Sequence, residues 1–454
     1  MNDDVRQEQL FAEALHDIAP TRAPDRLRTH VKAETSDVRP RPRWLALIQQ
    51  PPMRTNSRLA VGSPTARVAA VAAATLLLVG LALGASFAGA RIIGVDGLIV
   101  VDSTGGGHYT TISEAVANAV DGDEILVRPG TYTEAVVIAE DITLRGDGPI
   151  EDIVITAPGD GPTIPIEEGG FYEDPYAFLI EGTDATVSGL TFRGQPSAVI
   201  ASGGAPTLEN LVFDRTGYAF DGSTTSPAGN SITINRGSAA VVRNNTITSG
   251  GPIGVFDGSE PLIESNRLSD GPHIFGFGFG DGAVIRKNTV EGVLVRGIGV
   301  FTTPAALVIE GNTIIDPPRH GIEVQVGTPI VRGNIVSGAG TAGVSTSASG
   351  SDLLENRLTD NQIGVIFTAS EGQVSGNVIR GGMTGIMVSA ATSSAEFAAN
   401  DVEGASIRGM SLLSGSPTLR DNRLCGNSEN LWVGDEASPD IDDSNEICED
   451  ASAE

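Results

Sequence analysis

The sequence predicts an all-β fold: a right-handed, single-stranded parallel β-helix with coils of about 22 residues, preceded by one transmembrane helix and a short helical N-terminal region. Three observations carry this prediction. A pattern centred on asparagine recurs nine times between residues 242 and 424. Glycine is abundant, at 57 of 454 residues, and aromatics make up only 5%, which favours tightly turned β structure over a large helical core. An uncharged run, Val68 to Ala90, separates a basic N-terminal part from a strongly acidic remainder.

Residues 1–35 read as a short helical cytoplasmic region. Val5, Leu10, Phe11, Ala14, Leu15 and Ile18 fall on one helical face before Pro20, and Leu27 and Val31 stand four apart. A helical pair ahead of one membrane span resembles bacterial anti-sigma-type cytoplasmic modules. Their zinc ligands are missing, since His16 and His30 have no cysteine partners, and a plain juxtamembrane helix fits the same residues. Residues 36–67, rich in Pro, Arg and Ser, read as a linker. The run 68–90 has 23 residues. As a helix it spans about 35 Å, enough for a hydrocarbon core of roughly 30 Å. Arg39, Arg41, Arg43, Arg54, Arg58 and Arg67 against Asp37 place the N-terminus in the cytoplasm and the rest outside a cell membrane. If translation starts at Met53, the same segment reads as a signal peptide ending at Ala88-Gly89-Ala90, and the remainder is secreted. Both readings export residues 91–448.

The exported part opens with TTISEAVANAV, a short helix with a capping box from Thr111 to Glu114. Ile125–Val127, Val136–Ile138 and Ile142–Leu144 are the first strands, punctuated by Pro129-Gly130 and Gly146. The repeat follows. Its asparagines are Asn245, Asn266, Asn288, Asn312, Asn334, Asn356, Asn377, Asn400 and Asn422, spaced by 21 to 24 residues. Three residues before them stand Val242, Ile263, Ile285, Ile309, Val331, Leu353, Val374, Phe397 and Leu419. Two residues after them stand Ile247, Leu268, Val290, Ile314, Val336, Leu358, Ile379, Val402 and Leu424. Alternating apolar positions make strands, each too short to stand alone, so successive units must stack in parallel. The asparagine at each turn is then expected to form a ladder with its copies. Asn210 and Gly189 continue the series upstream at looser register. A second signal, glycine then alternating apolar residues, recurs at Gly297-Ile298, Gly321-Ile322, Gly364-Val365 and Gly385-Ile386.

Charge and cysteine usage narrow the function. Residues 1–67 hold 11 Arg/Lys and 8 Asp/Glu, a net of +3; the remainder holds 18 and 49, a net of −31. Such a surface repels nucleic acid and polyanionic glycans at long range. Cys425 and Cys448 are one coil apart, and a disulfide between them would close the C-terminal end of the stack in an exported domain. An acidic tail, residues 449–454, follows.

These residues resemble the right-handed parallel β-helix, or pectin-lyase-like, family over roughly residues 98–448, and Tyr109 to Gly148 resembles the opening of pectin methylesterases. The resemblance implies the fold and not one chemistry. Pectin methylesterases carry two aspartates, a glutamine and an arginine; LTFRGQPSAVI, with Gln195, resembles the first motif, and no later segment supplies the others. Polygalacturonases show paired aspartates before Gly-His-Gly; Arg319-His320-Gly321 lacks the pair. Pectate lyases bind calcium through clustered acids. Acids are plentiful here without a dense cluster on matching strands, so calcium stays open and no other cofactor is expected.

Two segments are candidate sites. One insertion combines Glu167 and Glu168 with Phe171, Tyr172 and Tyr176, the acid and aromatic mixture that sugar recognition uses. The other brings Asp270, His273 and Asp281 within one to two coils of Asp316, Arg319 and His320, a set suited to acid–base chemistry on sugars. Turn residues and solvated loops of a repeat protein account for the same composition. The leading expectation is a membrane-anchored binding or scaffold protein for polysaccharide or a surface partner, with the question of catalysis left open and leaning against it. The alternatives are a polysaccharide lyase, hydrolase or epimerase, and transmembrane signalling through the N-terminal helices.

Overall fold

The computed structural model divides into two units, Met1–Ala85 and Ser86–Glu454. It describes residues 97–159, 161–162, 176–194, 198–217, 229–302, 307–392 and 394–451. The expected N-terminal helices, linker and membrane span, and the acidic insertion before Tyr176, lie outside the described residues. Among the described residues no helix is long and apolar enough to cross a membrane.

The second unit is a parallel β-helix. Its strands form three sheets, A with 15 strands, B with 14 and C with 13. One coil shows the plan. Val308–Glu310 lies in sheet A, Thr313–Ile315 in sheet B, His320–Gly327 in sheet C, and Ile330–Arg332 returns to sheet A one level up. Each strand pairs in parallel with its copy in the next coil. At about 4.8 Å per level, fifteen levels make a stack roughly 65 Å long.

The apolar residues on either side of each repeated asparagine all point inward. From Val242 to Leu419 in sheet A and from Ile247 to Leu424 in sheet B they are fully or almost fully buried, forming one continuous core. Aromatic contacts fill part of the core in the early coils, with Phe178 edge-on to Phe192 and Phe192 stacked on Phe213, both at 5.1 Å.

The corner between sheets A and B takes two residues. The first adopts a left-handed conformation, as at Lys287 (φ 53°), Gly311 (φ 60°) and Gly333 (φ 59°). The second is the asparagine, buried in every repeat. Its Oδ1 accepts from both the backbone N–H and Nδ2 of the asparagine in the preceding coil. Its own Nδ2 donates to the next Oδ1 and to a sheet A carbonyl one coil back. Asn312 is typical: it receives Asn288 N and Nδ2 at 3.0 Å, and donates to Asn334 Oδ1 at 3.0 Å and Ile285 O at 2.9 Å. The ladder runs unbroken from Asn245 to Asn422 and gains a tenth rung, Asn445. Upstream the expectation needs correcting. Asn210 is the left-handed residue (φ 51°), and Leu211 occupies the ladder position, its N–H donating to Asn245 Oδ1. Gly189 likewise precedes Leu190, so the first coils use leucine where later ones use asparagine.

The recurrent glycines have a steric cause. A side chain at Gly297 would meet Gly321 O at 2.7 Å, one at Gly321 would meet Gly343 O at 2.6 Å, and one at Gly343 would meet Gly364 O at 2.8 Å. The column continues through Gly364, Gly385 and Gly409. At this corner each coil lies against the carbonyl of the next, leaving no room for a Cβ.

Both ends are closed. Helix Ile112–Asn118 packs against the first strands, and its Thr111 cap accepts from Glu114 N–H. The carboxylate holding its first turn is Glu134, which accepts from Ile112 N, Ser113 N and Ser113 Oγ at 3.0, 2.8 and 2.6 Å. Strands that escaped the sequence reading include Leu98–Val101, which starts sheet A, and Gly130–Thr133, which starts sheet B where a turn was expected. At the other end Cys425 and Cys448 are joined, with Cα atoms 4.9 Å apart. Within the tail, Glu449 O and Asp450 Oδ1 accept from Asn430 and so belong to the closure.

Candidate functional site

Sheet C changes width along the stack. Its strands hold three or four residues up to Ile274–Phe277, then six at Arg296–Phe301 and eight at His320–Gly327. The added residues at the start of the longer strands are Arg296 and His320, paired in register. The outward face at this step carries two neighbouring features.

The first is apolar. Phe277 pairs in register with Phe301, and their rings stack at 5.1 Å. Phe256, one coil earlier, lies parallel to Phe277 at 6.5 Å, and Phe275 stands edge-on to both Phe256 and Phe277. Glycines make the room. A side chain at Gly254 would meet the Phe256 ring at 2.9 Å, and one at Gly299 would meet the Phe301 ring at 2.9 Å. Phe256 and Phe301 are buried in this strip, whereas Phe277 is 46% exposed.

The second is polar. Arg296 caps the Phe301 ring at 4.8 Å from its centroid and approaches Glu323 Oε2 with Nε at 3.1 Å. Glu323 Oε1 accepts from Gln325 Nε2 at 2.8 Å. Glu323 and His320 are only 7% and 6% exposed. The ion pair is not aligned as a hydrogen bond on Glu323 Oε2, and His320 Nδ1 also has no hydrogen-bond partner. Burial, with Arg319 and Arg296 nearby, depresses the His320 pKa against the opposing pull of Glu323. Burial lowers the Arg296 pKa as well, opposed by Glu323. His273, half-buried and 5.4 Å from the Phe275 ring, is pushed down to about 4 by burial and by Arg296. Both imidazoles are therefore neutral at pH 7.

Of the residues expected here, His320 lies beside Arg319, and His273 and His320 both feel the charge of Arg296. Asp270 and Asp316 do not join them. Both are left-handed residues of the B–C corner (φ 61° and 49°), with side chains over Gly292 and Gly338 of the next coil. Asp360 sits over Gly381 in the same way, which identifies a corner device. Asp281 is exposed in the return to sheet A. Tyr176 is 4% exposed and packs on Leu179 and Ile200 of sheet C; Glu167, Glu168, Phe171 and Tyr172 lie outside the described residues. Arg296, Glu323 and the phenylalanine strip were missed, because only the register brings them together. A local density of aromatics in HIFGFGF was the available signal.

Among the described residues, Cys425, Glu446 and Cys448 are spaced to hold a metal, but the two sulfurs are bonded to each other.

Comparison with known proteins gives the fold. The model of the right-handed β-helix region matches residues 176–328 and 210–363. The catalytic unit of a thermostable GH87 α-1,3-glucanase from Streptomyces thermodiastaticus is similar at 13% identity, covering 78% of this chain and 69% of that one, with a TM-score of 0.51. The Dettilon tailspike protein is similar at 13% identity over 77% and 70%, TM-score 0.43. Pectin methylesterase PemA from Erwinia chrysanthemi is similar at 14% identity over 54% and 80%, TM-score 0.30. No curated protein sequence matches the chain.

Proposed function

Starting from a right-handed β-helix region, we propose that this protein binds polysaccharide along the outward face of sheet C, with the phenylalanine strip as its platform. One observation carries the reading. Four of the chain's 14 phenylalanines, from three successive coils, share one outward face whose middle coil carries the half-exposed Phe277. An apolar strip beside fixed polar groups is how binding sites hold a sugar's ring while its hydroxyls are read. The strip runs from coil to coil, so it suits an extended polymer better than a compact ligand.

The disulfide supports an oxidising compartment. In this reading residues 68–90 anchor the protein in the cell membrane with the β-helix outside. Protease added to intact cells expressing the full chain should degrade the β-helix and spare an N-terminal fragment. Full protection would overturn the topology.

Binding is tested by retardation of the full chain in native gels containing polysaccharides, with product analysis on the same mixtures. Phe277→Ser should weaken retardation about tenfold, as expected for an aromatic anchor. Wild-type protein that is retarded by no polysaccharide, or a Phe277→Ser variant retarded equally, would sink the proposal.

A further inference from the structure

We propose that Glu323 and His320 form a hydroxyl-binding subsite that selects uncharged glycans over acidic ones. The inference rests on the polysaccharide reading of the same face and adds the class of sugar.

The groups sit on the outward side of a sheet, yet both are more than nine-tenths buried, and each holds an atom without an aligned hydrogen bond: Glu323 Oε2, whose one contact is the ion pair with Arg296, and His320 Nδ1. Buried polar atoms are nearly always paired, so these two, closed to water yet without an aligned hydrogen bond, point to a partner that enters when the partly exposed Arg296 side chain swings aside. Glu323 Oε2 accepts only. Its partner must bring a donor, which a ligand carboxylate lacks at neutral pH and a sugar hydroxyl supplies. His320, held neutral by burial, has an unpaired Nδ1, and a hydroxyl can meet it in either tautomer by donating or accepting.

Electrostatics work in the same direction. Arg296 is turned onto Glu323 and the Phe301 ring, so its charge is already engaged. The part of the chain after residue 67 carries a net −31, which repels a polyanion during approach. Arg319, exposed at the same corner, is the nearby group that would favour an acidic ligand.

The test uses the full chain as wild type, Glu323→Gln, His320→Gln, Arg319→Gln and Phe277→Ser, in native gels containing neutral glucan, xylan or polygalacturonate. Wild-type protein should be retarded by a neutral polymer and not by polygalacturonate. Glu323→Gln should lose about tenfold in neutral affinity and gain on polygalacturonate, because the charge that excludes carboxylates is gone. His320→Gln gives a second reading of the neutral loss should Glu323→Gln fail to fold, as judged by its circular dichroism melt. If Phe277→Ser loses binding while Glu323→Gln and His320→Gln bind as wild type, the subsite falls and the polysaccharide reading stands. If wild type prefers polygalacturonate and Arg319→Gln abolishes that preference, the selection runs the other way and the inference is overturned. If no polymer retards the wild type, both proposals fall.

Discussion

Asn334 shows what the repeated asparagine does. Its oxygen receives two donors from Asn312, and its nitrogen reaches Asn356 Oδ1 and Ile309 O. Asn334→Ala would strand two buried donors on Asn312 as well as losing its own bonds. We expect a loss of about 2–4 kcal/mol, read as a lower chemical-denaturation midpoint. Asn422, near the end of the ladder, should be less costly to replace. Asp270 and Asp316, in contrast, share their corner with Asp360, so their replacement by asparagine should leave glycan binding unchanged. His273 gives a pH prediction. Its pKa falls to about 4 in the folded protein, below its ordinary value of 6.5. Between those values the unfolded chain binds more protons than the folded one, so this residue's contribution is complete above pH 6.5 and is lost as pH falls toward 4. The loss is roughly 1–3 kcal/mol after allowing for partial exposure. His273→Gln should shrink the drop in thermal midpoint between those pH values; an unchanged drop would contradict it.

At the scale of one coil, the glycine column and the disulfide set the limits. Gly321→Ala would drive a methyl into Val336 and Gly343 O, both in fixed positions, and should destabilise by about 1–3 kcal/mol, as overpacking does. Cys448→Ser opens a loop closed over a sequence separation of 23. The chain-entropy model assigns that closure about 3 kcal/mol. Amide exchange should then quicken in Glu429–Ala437 while Thr313–Ile315 keeps its protection. This scale also explains what the sequence made legible. The ladder and the two flanking apolar columns recur at the coil period, so one alignment of the chain on itself exposes them, and the single bridge spans one such period. Leu98–Val101 and Gly130–Thr133 precede the regular repeats and have no asparagine to mark them. Phe277, Phe301, Arg296 and Glu323 belong to outward positions, where solvent imposes no period. Their meeting depends on register and on the widening of sheet C, neither of which a local window reports.

Across the β-helix, charge adds a second level of order. Glu209, Arg243, Glu264, Arg286, Glu310 and Arg332 follow one another in register on the outer side of sheet A, alternating in sign over six coils. Arg243–Glu209, Arg286–Glu264 and Arg332–Glu310 form ion pairs at 2.6, 2.7 and 2.5 Å. Each is worth at most about 1 kcal/mol at an exposed site, so the alternation acts chiefly against slippage of register. The acids in excess repel one another, and screening that repulsion should outweigh the weakened pairs. Raising NaCl to about 0.5 M should therefore raise the melting temperature. A fall would show that the pairs dominate.

The asparagine ladder has a further consequence, for how such a protein changes length. Every rung from Asn266 to Asn400 offers the same faces to the rungs on either side. Duplicating one 22-residue unit among Asn334, Asn356 and Asn377 would add a storey whose bonds are already specified, leaving helix Ile112–Asn118 and the Cys425–Cys448 bridge where they are. The number of storeys is thus free to drift by whole units, while the phenylalanine face, built once between Ile253 and Gly327, is carried along intact.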